Sequence, residues 1–387
     1  MARPLRIALV AGEASGDLLG AAFIAAVRQQ HPDVHFEGVA GPRMRAAGCR
    51  ALADAEELAV MGLFEVLRHL PRLLRLRRRL LAAWRADPPD VFVGIDSPEF
   101  NLGLAGRLKA LGIPTAQYVS PQVWAWRQGR VRHIAEAEDL ILCLLPFEAA
   151  FYAQCAVRAL FVGHPMADQM PLEPDRAAAR AALGLPAQGP VVARLPGSRL
   201  GEVARLGEVF ARVARRLGEG GSAAPLFVAP MASAGVKAVF AQQVAAAGAT
   251  VRLLDGQSPL ALAAADAVLV ASGTATLETL LSKRPMVVAY RAAPVTAFIV
   301  RGLGLVKVKN FSLPNLLAGE ALVPEFLQEQ VTVDALAQSL RGQLDDAANR
   351  ARLAAAFLGI HQQLRRGGAA LAASAVLELA RTAKPAA

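Results

Sequence analysis

Along this chain, short apolar runs alternate with longer segments in which apolar residues return every three or four positions, the pattern of buried strands separated by amphipathic helices. Residues 6–11 (RIALVA) predict a first strand, and GEASGD (12–17) a turn into a helix from about Leu18 to Gln30. VHFEGVA, DVFVGI, IPTAQYV, LILCLL and VRALFVG predict further strands, ending near Gly163. The connecting stretch GHPMADQMPLEP (163–174) holds Pro165, Pro171 and Pro174 and marks a boundary. The pattern then restarts: strands in PVVARLPGSR, APLFVA, TVRLL, DAVLVASGT and RPMVVAYR, with helices between them. From about Thr332 the chain reads as helices almost to its end. The expected class is α/β, with two open, mainly parallel sheets covered by helices on both faces. The domains expected are 1–168 and 169–340, with a helical tail, 341–387, returning to the first.

One apolar run stops abruptly at an acid. In DVFVGIDSPEFN (90–101), Val91, Phe92, Val93 and Ile95 favour a strand, and Pro88 and Pro89 fence its entry. Asp96 falls at the carboxyl end, where open α/β sheets bind ligands. Ser97 before Pro98 is an N-cap and first-turn signature, predicting a helix that carries Leu102, Leu104, Leu108 and Leu111. Asp96 reads either as a catalytic base or as a turn acid bonding its own backbone, and the local pattern alone favours the turn.

Residues 58–84 depart from plain strand–helix alternation. Leu63, Leu67, Leu70, Leu74, Leu81 and Trp84 approximate one helical face; Arg68, Arg72, Arg75 and Arg79 follow another, and Pro71 should kink or divide the helix. The segment is either an amphipathic helix lying on its sheet or a contact that enters the headgroup layer of a membrane.

Composition refines this picture. Of 387 residues 54% are hydrophobic, so two ordinary cores can be buried. Lys and Arg total 42 against 32 Asp and Glu, a net charge of +10 that should attract phosphates, nucleic acid or an acidic leaflet. Arg has largely displaced Lys, and compositional bias accounts for much of that excess. Cys49, Cys143 and Cys155 are widely spaced and suggest neither a disulfide framework nor a zinc site. The N-terminal apolar run leads into a glycine loop, as a first strand does and a signal peptide does not. No segment approaches about 18 uninterrupted apolar residues, so a cytoplasmic location is expected.

Two loops in the second half suit a diphosphate. LPGSR places Ser198 and Arg199 after a strand, offering a hydroxyl and a guanidinium fork. ASGTATLE places Ser272, Gly273 and Thr274 at the start of a helix, whose free amides and dipole favour an anion. Glu278, a turn further on, could accept hydrogen bonds from ribose hydroxyls. GEASGD is not the GxGxxG fingerprint, and DxD, HExxH, GxSxG and Walker patterns are missing, so the chemistry does not look metal-held, ATP-driven or serine-based.

Several strings taken together resemble one family. VAGEASGD, VAGPRM, ELAVMG, VFVGIDSPEFN, YVSPQVWAWR, LPFE, GHPMAD, LPGSR, ASGTATLE, PMVVAYR and SLPNLLAG look like the lipid-A-disaccharide synthase family, in its order and over nearly the whole chain. The resemblance implies a GT-B fold: two Rossmann-like doubly wound domains facing a cleft, with C-terminal helices packing back on the first. It implies an inverting transfer of 2,3-diacylglucosamine from UDP to 2,3-diacylglucosamine 1-phosphate, with no metal or other cofactor. It further implies peripheral attachment to the cytoplasmic face of the inner membrane through anionic lipids. That shifts residues 58–84 toward membrane contact, through Leu63, Leu67, Arg68, Leu70, Arg72, Leu74, Arg75 and Arg79. Nucleic acid is not among the partners implied, and a homodimer with exchanged tails is compatible with the family.

Carried onto this sequence, the family's proposed base falls on Asp96. The UDP-sugar side falls on Ser198, Arg199, Ser272, Gly273, Thr274, Glu278 and Asn315, and the acceptor side on Glu13, Ser15, Trp126 and Arg127. Arg194 stands where an aliphatic residue is usual, and VKVKNF precedes SLPN where a Thr-x-Tyr run is expected. The alternatives are another GT-B enzyme, such as a cell-wall N-acetylglucosaminyltransferase or a UDP-sugar epimerase, or a two-lobed sugar-binding protein without chemistry.

Overall fold

The computed structural model describes residues 3–58, 63–123, 128–155, 157–219, 224–292 and 310–382, with the side chains of 63–69 and 128 outside the description. The chain divides into two compact units, Met1–Asp168 with Leu364–Ala387, and Gln169–Gln363. Of the stretch expected as a tail from 341, residues up to 363 thus group with the second unit.

In the first unit β1 (Leu5–Ala11), β2 (Val34–Ala40), β3 (Cys49–Asp54), β4 (Val91–Ile95), β5 (Thr115–Tyr118), β6 (Leu140–Cys143) and β7 (Ala159–Phe161) form a parallel sheet in the order β3-β2-β1-β4-β5-β6-β7. In the second, β8 (Val191–Leu195), β9 (Leu226–Met231), β10 (Arg252–Asp255), β11 (Ala267–Ala271), β12 (Met286–Tyr290) and β13 (Glu325–Leu327) run β10-β9-β8-β11-β12-β13. Each sheet winds outward from one central strand and then outward again from its neighbour. Central strands are covered on both faces, so β4 is buried at every residue and reads as an unbroken apolar run. β3 and β13 escape sequence reading because they are partly exposed edge strands without an unbroken apolar run.

Strand alternation separates two half-cores in the first unit. Ile7, Leu9, Val91 and Val93 meet Phe23, Ile24 and Val27 of α1 (Glu13–Gln30) and Val376 and Leu377 of the Gly368–Thr382 helix. Ala8, Val10 and Phe92 meet Leu76, Leu80 and Trp84 of α3 (Leu63–Ala86) and Leu104 and Leu108 of α4 (Pro98–Lys109). Two expectations are corrected. Leu70 and Leu74 of α3 are not buried with Trp84; they are 42% and 37% exposed, while Trp84 is fully buried. Leu111 lies beyond the end of α4, exposed, because the helix stops at Lys109.

The returning helix is held by the GHPMAD stretch. Asp168 accepts the N–H groups of Gly367 at 2.9 Å and Gly368 at 2.8 Å, at the positive end of the helix. Gly163, at φ 93°, lies against this segment so closely that a Cβ would come within 2.6 Å of the Leu364 carbonyl oxygen. Asp168→Ala is expected to cost about 0.5–2 kcal/mol, as loss of a helix cap does, measured as a lower urea midpoint at unchanged slope.

Candidate active site

In the first sheet the winding direction reverses between β1 and β4, whose pairing sets Ala11 beside Ile95. The two residues that follow, Gly12 and Asp96, therefore emerge side by side at the carboxyl edge, where such sheets bind ligands. The approach is tight: a Cβ on Gly12 would lie 2.5 Å from Ser97 Oγ. Glu13, Asp96 and Ser97 all take left-handed backbone angles, with φ of 58°, 53° and 42°. Ser97 makes no side-chain cap bond, contrary to the N-cap expected of it, because this conformation turns its backbone away from cap geometry.

The Asp96 amide donates to the Tyr118 carbonyl at 2.9 Å, extending the β4–β5 ladder into the turn. Its carboxyl is half-buried, and burial, aided by the nearby Glu99 charge, raises its pKa above the ordinary 3.8. A hydrogen bond from the Ser97 amide opposes that shift without cancelling it.

α1 starts at Glu13 rather than near Leu18, so Glu13 and Ser15 sit exposed on its first turn, beside the Asp96 turn. Asp17, which sequence reading did not single out, is buried and accepts the N–H groups of Arg43 and Met44 at 2.9 Å each. It thereby caps α2 (Pro42–Ala46) and ties GEASGD to VAGPRM. Trp126 and Arg127 lie outside the described residues.

The second sheet reverses between β8 and β11, and the two glycine loops follow these strands. Ser198 and Arg199 are exposed. Their amides donate to the Glu202 carboxylate at 2.9 and 3.3 Å, and the Arg199 guanidinium reaches the same carboxylate at 3.3 Å. Glu202 thus engages the amides of this loop and part of the guanidinium fork that the sequence pattern offered to a phosphate. In the other loop Gly273 (φ 152°) precedes the Thr274–Leu281 helix, no side chain among the described residues accepts from its first amides, and Ser272 is anchored by its amide to Ala289 at 2.9 Å. Glu278 is half-buried, one oxygen accepting from Ser258 Oγ at 2.9 Å.

Asn315 is placed differently from a ligand-facing residue. It is buried, its amide N–H groups go to the Val323 carbonyl (2.9 Å) and the Glu325 carboxylate (2.8 Å), and its oxygen accepts from Val323 N–H (2.9 Å). Glu325 also takes the amides of Phe311 and Ser312, at 3.0 and 2.8 Å, so the SLPN motif is an internal clamp on β13. Arg194, the departure noted above, is fully buried with its guanidinium 4.3 Å from the Phe227 ring centroid, and burial lowers its pKa to about 9. A recess of about 590 Å³ in this unit, lined by Leu185, Leu226, Phe227 and Thr250, lies toward the amino ends of β9 and β10 and away from both loops.

Two doubly wound parallel sheets in one chain, with a C-terminal helix returned to the first, are the GT-B architecture of glycosyltransferases. Solved structures agree on the fold: a glycotransferase of kitacinnamycin (TM-score 0.60, 20% identity, 98% of this chain and 100% of that one) and a UDP-GlcNAc 2-epimerase from Neisseria meningitidis bound to UDP-GlcNAc (TM-score 0.66, 11% identity, 97% and 100%). The chain belongs to the lipid-A-disaccharide synthetase family, whose model matches residues 7–377. It is 56% identical to the lipid-A-disaccharide synthase of Alkalilimnicola ehrlichii, over 97% of this chain and 99% of that protein, and 54% identical to that of Pseudomonas fluorescens, over 97% and 98%.

The Asp96 environment makes a pH-dependent prediction. A carboxyl whose pKa is raised by folding favours the folded state below its unfolded value and loses that advantage as pH rises through the folded one. Asp96→Asn, which cannot ionise, should therefore be more stable than the wild type at pH 7. The gap should close below about pH 4, read from thermal midpoints across pH.

Proposed function

We propose that the chain transfers 2,3-diacylglucosamine from its UDP conjugate to the 6-hydroxyl of 2,3-diacylglucosamine 1-phosphate, with inversion, releasing UDP and the β-1',6-linked disaccharide phosphate of lipid A. The observation that carries this reading is a half-buried carboxylate at the switch point of a sheet, in a chain of this family. Asp96 takes the hydroxyl proton as the oxygen attacks the anomeric carbon, and the bond to the diphosphate breaks with its electron pair leaving on UDP. A raised pKa strengthens the carboxylate as a base at neutral pH.

In the second unit, the Thr274–Leu281 helix start supplies amide donors and a positive dipole end for the departing diphosphate, with Ser272, Gly273 and Thr274 around it. Arg199 adds an exposed cation, and the oxygen of Glu278 not engaged by Ser258 is suited to a ribose hydroxyl. Glu13 and Ser15 serve the acceptor beside Asp96. Asn315 acts by holding the SLPN turn, its amide being spent inside the unit.

No described helix is long and apolar enough to cross a membrane. For a peripheral contact with the inner membrane, α3 offers Leu70 and Leu74 exposed beside Arg72, Arg75 and Arg79. Apolar insertion combines there with roughly 1 kcal/mol per cation at an anionic surface. The side chains of Leu63, Leu67 and Arg68 lie outside the described residues.

Incubation with both lipid substrates in detergent should yield UDP and disaccharide phosphate in equal amounts; UDP without disaccharide, or an epimerised sugar, would return the chain to the other GT-B readings. Asp96→Asn should lower kcat by at least about 10²-fold while UDP affinity, measured by calorimetry, stays near that of the wild type. Replacing Arg72, Arg75 and Arg79 together by Glu should abolish most sedimentation with anionic vesicles while sparing turnover in detergent.

A further inference from the structure

Among the described residues, the Asp96 carboxylate receives no side-chain hydrogen bond; its support there is the Ser97 amide. Among these residues, what aims it acts through the main chain. The Asp96 carbonyl oxygen accepts two side-chain amides, Asn101 Nδ2 at 2.7 Å from α4 and Gln117 Nε2 at 2.8 Å from β5. Each amide has a second contact on a neighbouring carbonyl, Asn101 on Val10 at 3.4 Å and Gln117 on Val119 at 3.3 Å. The Asp96–Ser97 peptide is thus tied to β1, α4 and β5 together.

Three further observations mark this as a built arrangement. Asn101 and Gln117 have no solvent exposure at all. Their amide oxygens, Oδ1 and Oε1, are buried without a hydrogen-bond partner among the described residues, so both side chains are present as donors only. Gly94 makes room for them: a Cβ there would come 2.6 Å from Gln117 Oε1 and 2.8 Å from Asn101 Cβ. Amide orientation follows from the surroundings, since reversing either group would set its oxygen against carbonyl oxygens.

Left-handed angles at two successive residues with side chains are unfavourable, and the carbonyl clamp supplies what holds Asp96 and Ser97 there. We propose that Asn101 and Gln117 are positioning residues for the reaction, fixing the Asp96–Ser97 peptide so that the carboxylate of Asp96 points at the acceptor hydroxyl. This rests on the reading of Asp96 as the base. Both side chains are wholly buried, so their route to the reaction is through this peptide.

The test is a mutant cycle read as kcat at saturating substrates. Gln117→Met keeps length and burial but removes the donor, and should lower kcat at least about tenfold with UDP affinity within about twofold. In an Asp96→Asn background the same substitution should have almost no further effect, because there is no longer a base to aim. An equal loss in both backgrounds, or unchanged kcat in the single variant, overturns the proposal. The base reading fails separately: near-normal turnover of Asp96→Asn sinks it and the clamp's role together, whereas a crippled Asp96→Asn with an intact Gln117→Met sinks the clamp alone. Should Gln117→Met not fold, Gln117→Glu regains a donor only when protonated. Its activity relative to wild type must then rise toward low pH, and a flat ratio overturns the proposal.

Discussion

The pairing of β1 with β4, and of β8 with β11, is the constraint from which the rest follows. A parallel sheet that winds outward from a central strand in both directions has one place where adjacent strands send their chains to opposite faces. Between those departing chains no crossover covers the strand ends, so backbone groups and short side chains stand open there. In the first unit the place is filled by Gly12, Asp96 and Ser97, packed so closely that Gly12 has no room for a side chain. In the second it is flanked by the LPGSR and SGT loops. The same geometry thus provides an acid in one unit and anion-seeking amides in the other, and the difference in chemistry comes only from which residues follow the strands.

The motifs of this family fulfil a second role, holding backbone. Asp17 caps α2, Asp168 caps the returning helix, Glu202 folds onto the LPGSR turn, Asn315 with Glu325 fixes the SLPN turn, and Asn101 with Gln117 grips the Asp96 carbonyl. Each replaces a ladder or cap hydrogen bond that irregular backbone cannot make for itself, which is how turns at a site remain in one conformation. This sorts the residues proposed for the nucleotide side. Amides after β8 are engaged by Glu202, whereas among the described residues no side chain accepts from the helix start after β11, which favours the second loop as the proposed anion site.

What could be read from sequence follows the range of the interaction. Buried central strands announce themselves through unbroken apolar runs, and Asp96 was visible because its run ends on it. Edge strands β3 and β13 are partly exposed and carry no such run. The turn of α3 was misjudged because Leu and Arg alternate so densely that several helical faces look apolar; packing against Phe92 selects Leu76, Leu80 and Trp84. Backbone clamps were not legible because their partners are far apart in the chain, as with Asp17 and Met44 or Asp168 and Gly368. Gln117 did leave a trace: an amide inside the otherwise buried strand TAQY demands a buried partner, which turned out to be the Asp96 carbonyl.

Net charge is a poorer guide than it first looks, since many arginines are internal fasteners. Arg180 is buried and donates to the carbonyls of Ala264, Pro186, Ala187 and Gly189 and to Asp266; Arg284 and Arg291 likewise bind main-chain carbonyls. A guanidinium so used has its donors spent inside the protein and is not free to grip an anionic partner directly. On α3 the distinction falls within one helix. Arg77 turns inward over the Phe100 ring and donates to the Glu99 carbonyl, whereas Arg72, Arg75 and Arg79 remain exposed, with contacts at the surface where ion pairs and hydrogen bonds are weak. Leu70 and Leu74 lie exposed among them although Leu76 and Leu80 of the same helix are buried. The proposed lipid contact therefore rests on this combination of outward leucines and outward arginines, and it would stand equally if the rest of the chain were neutral.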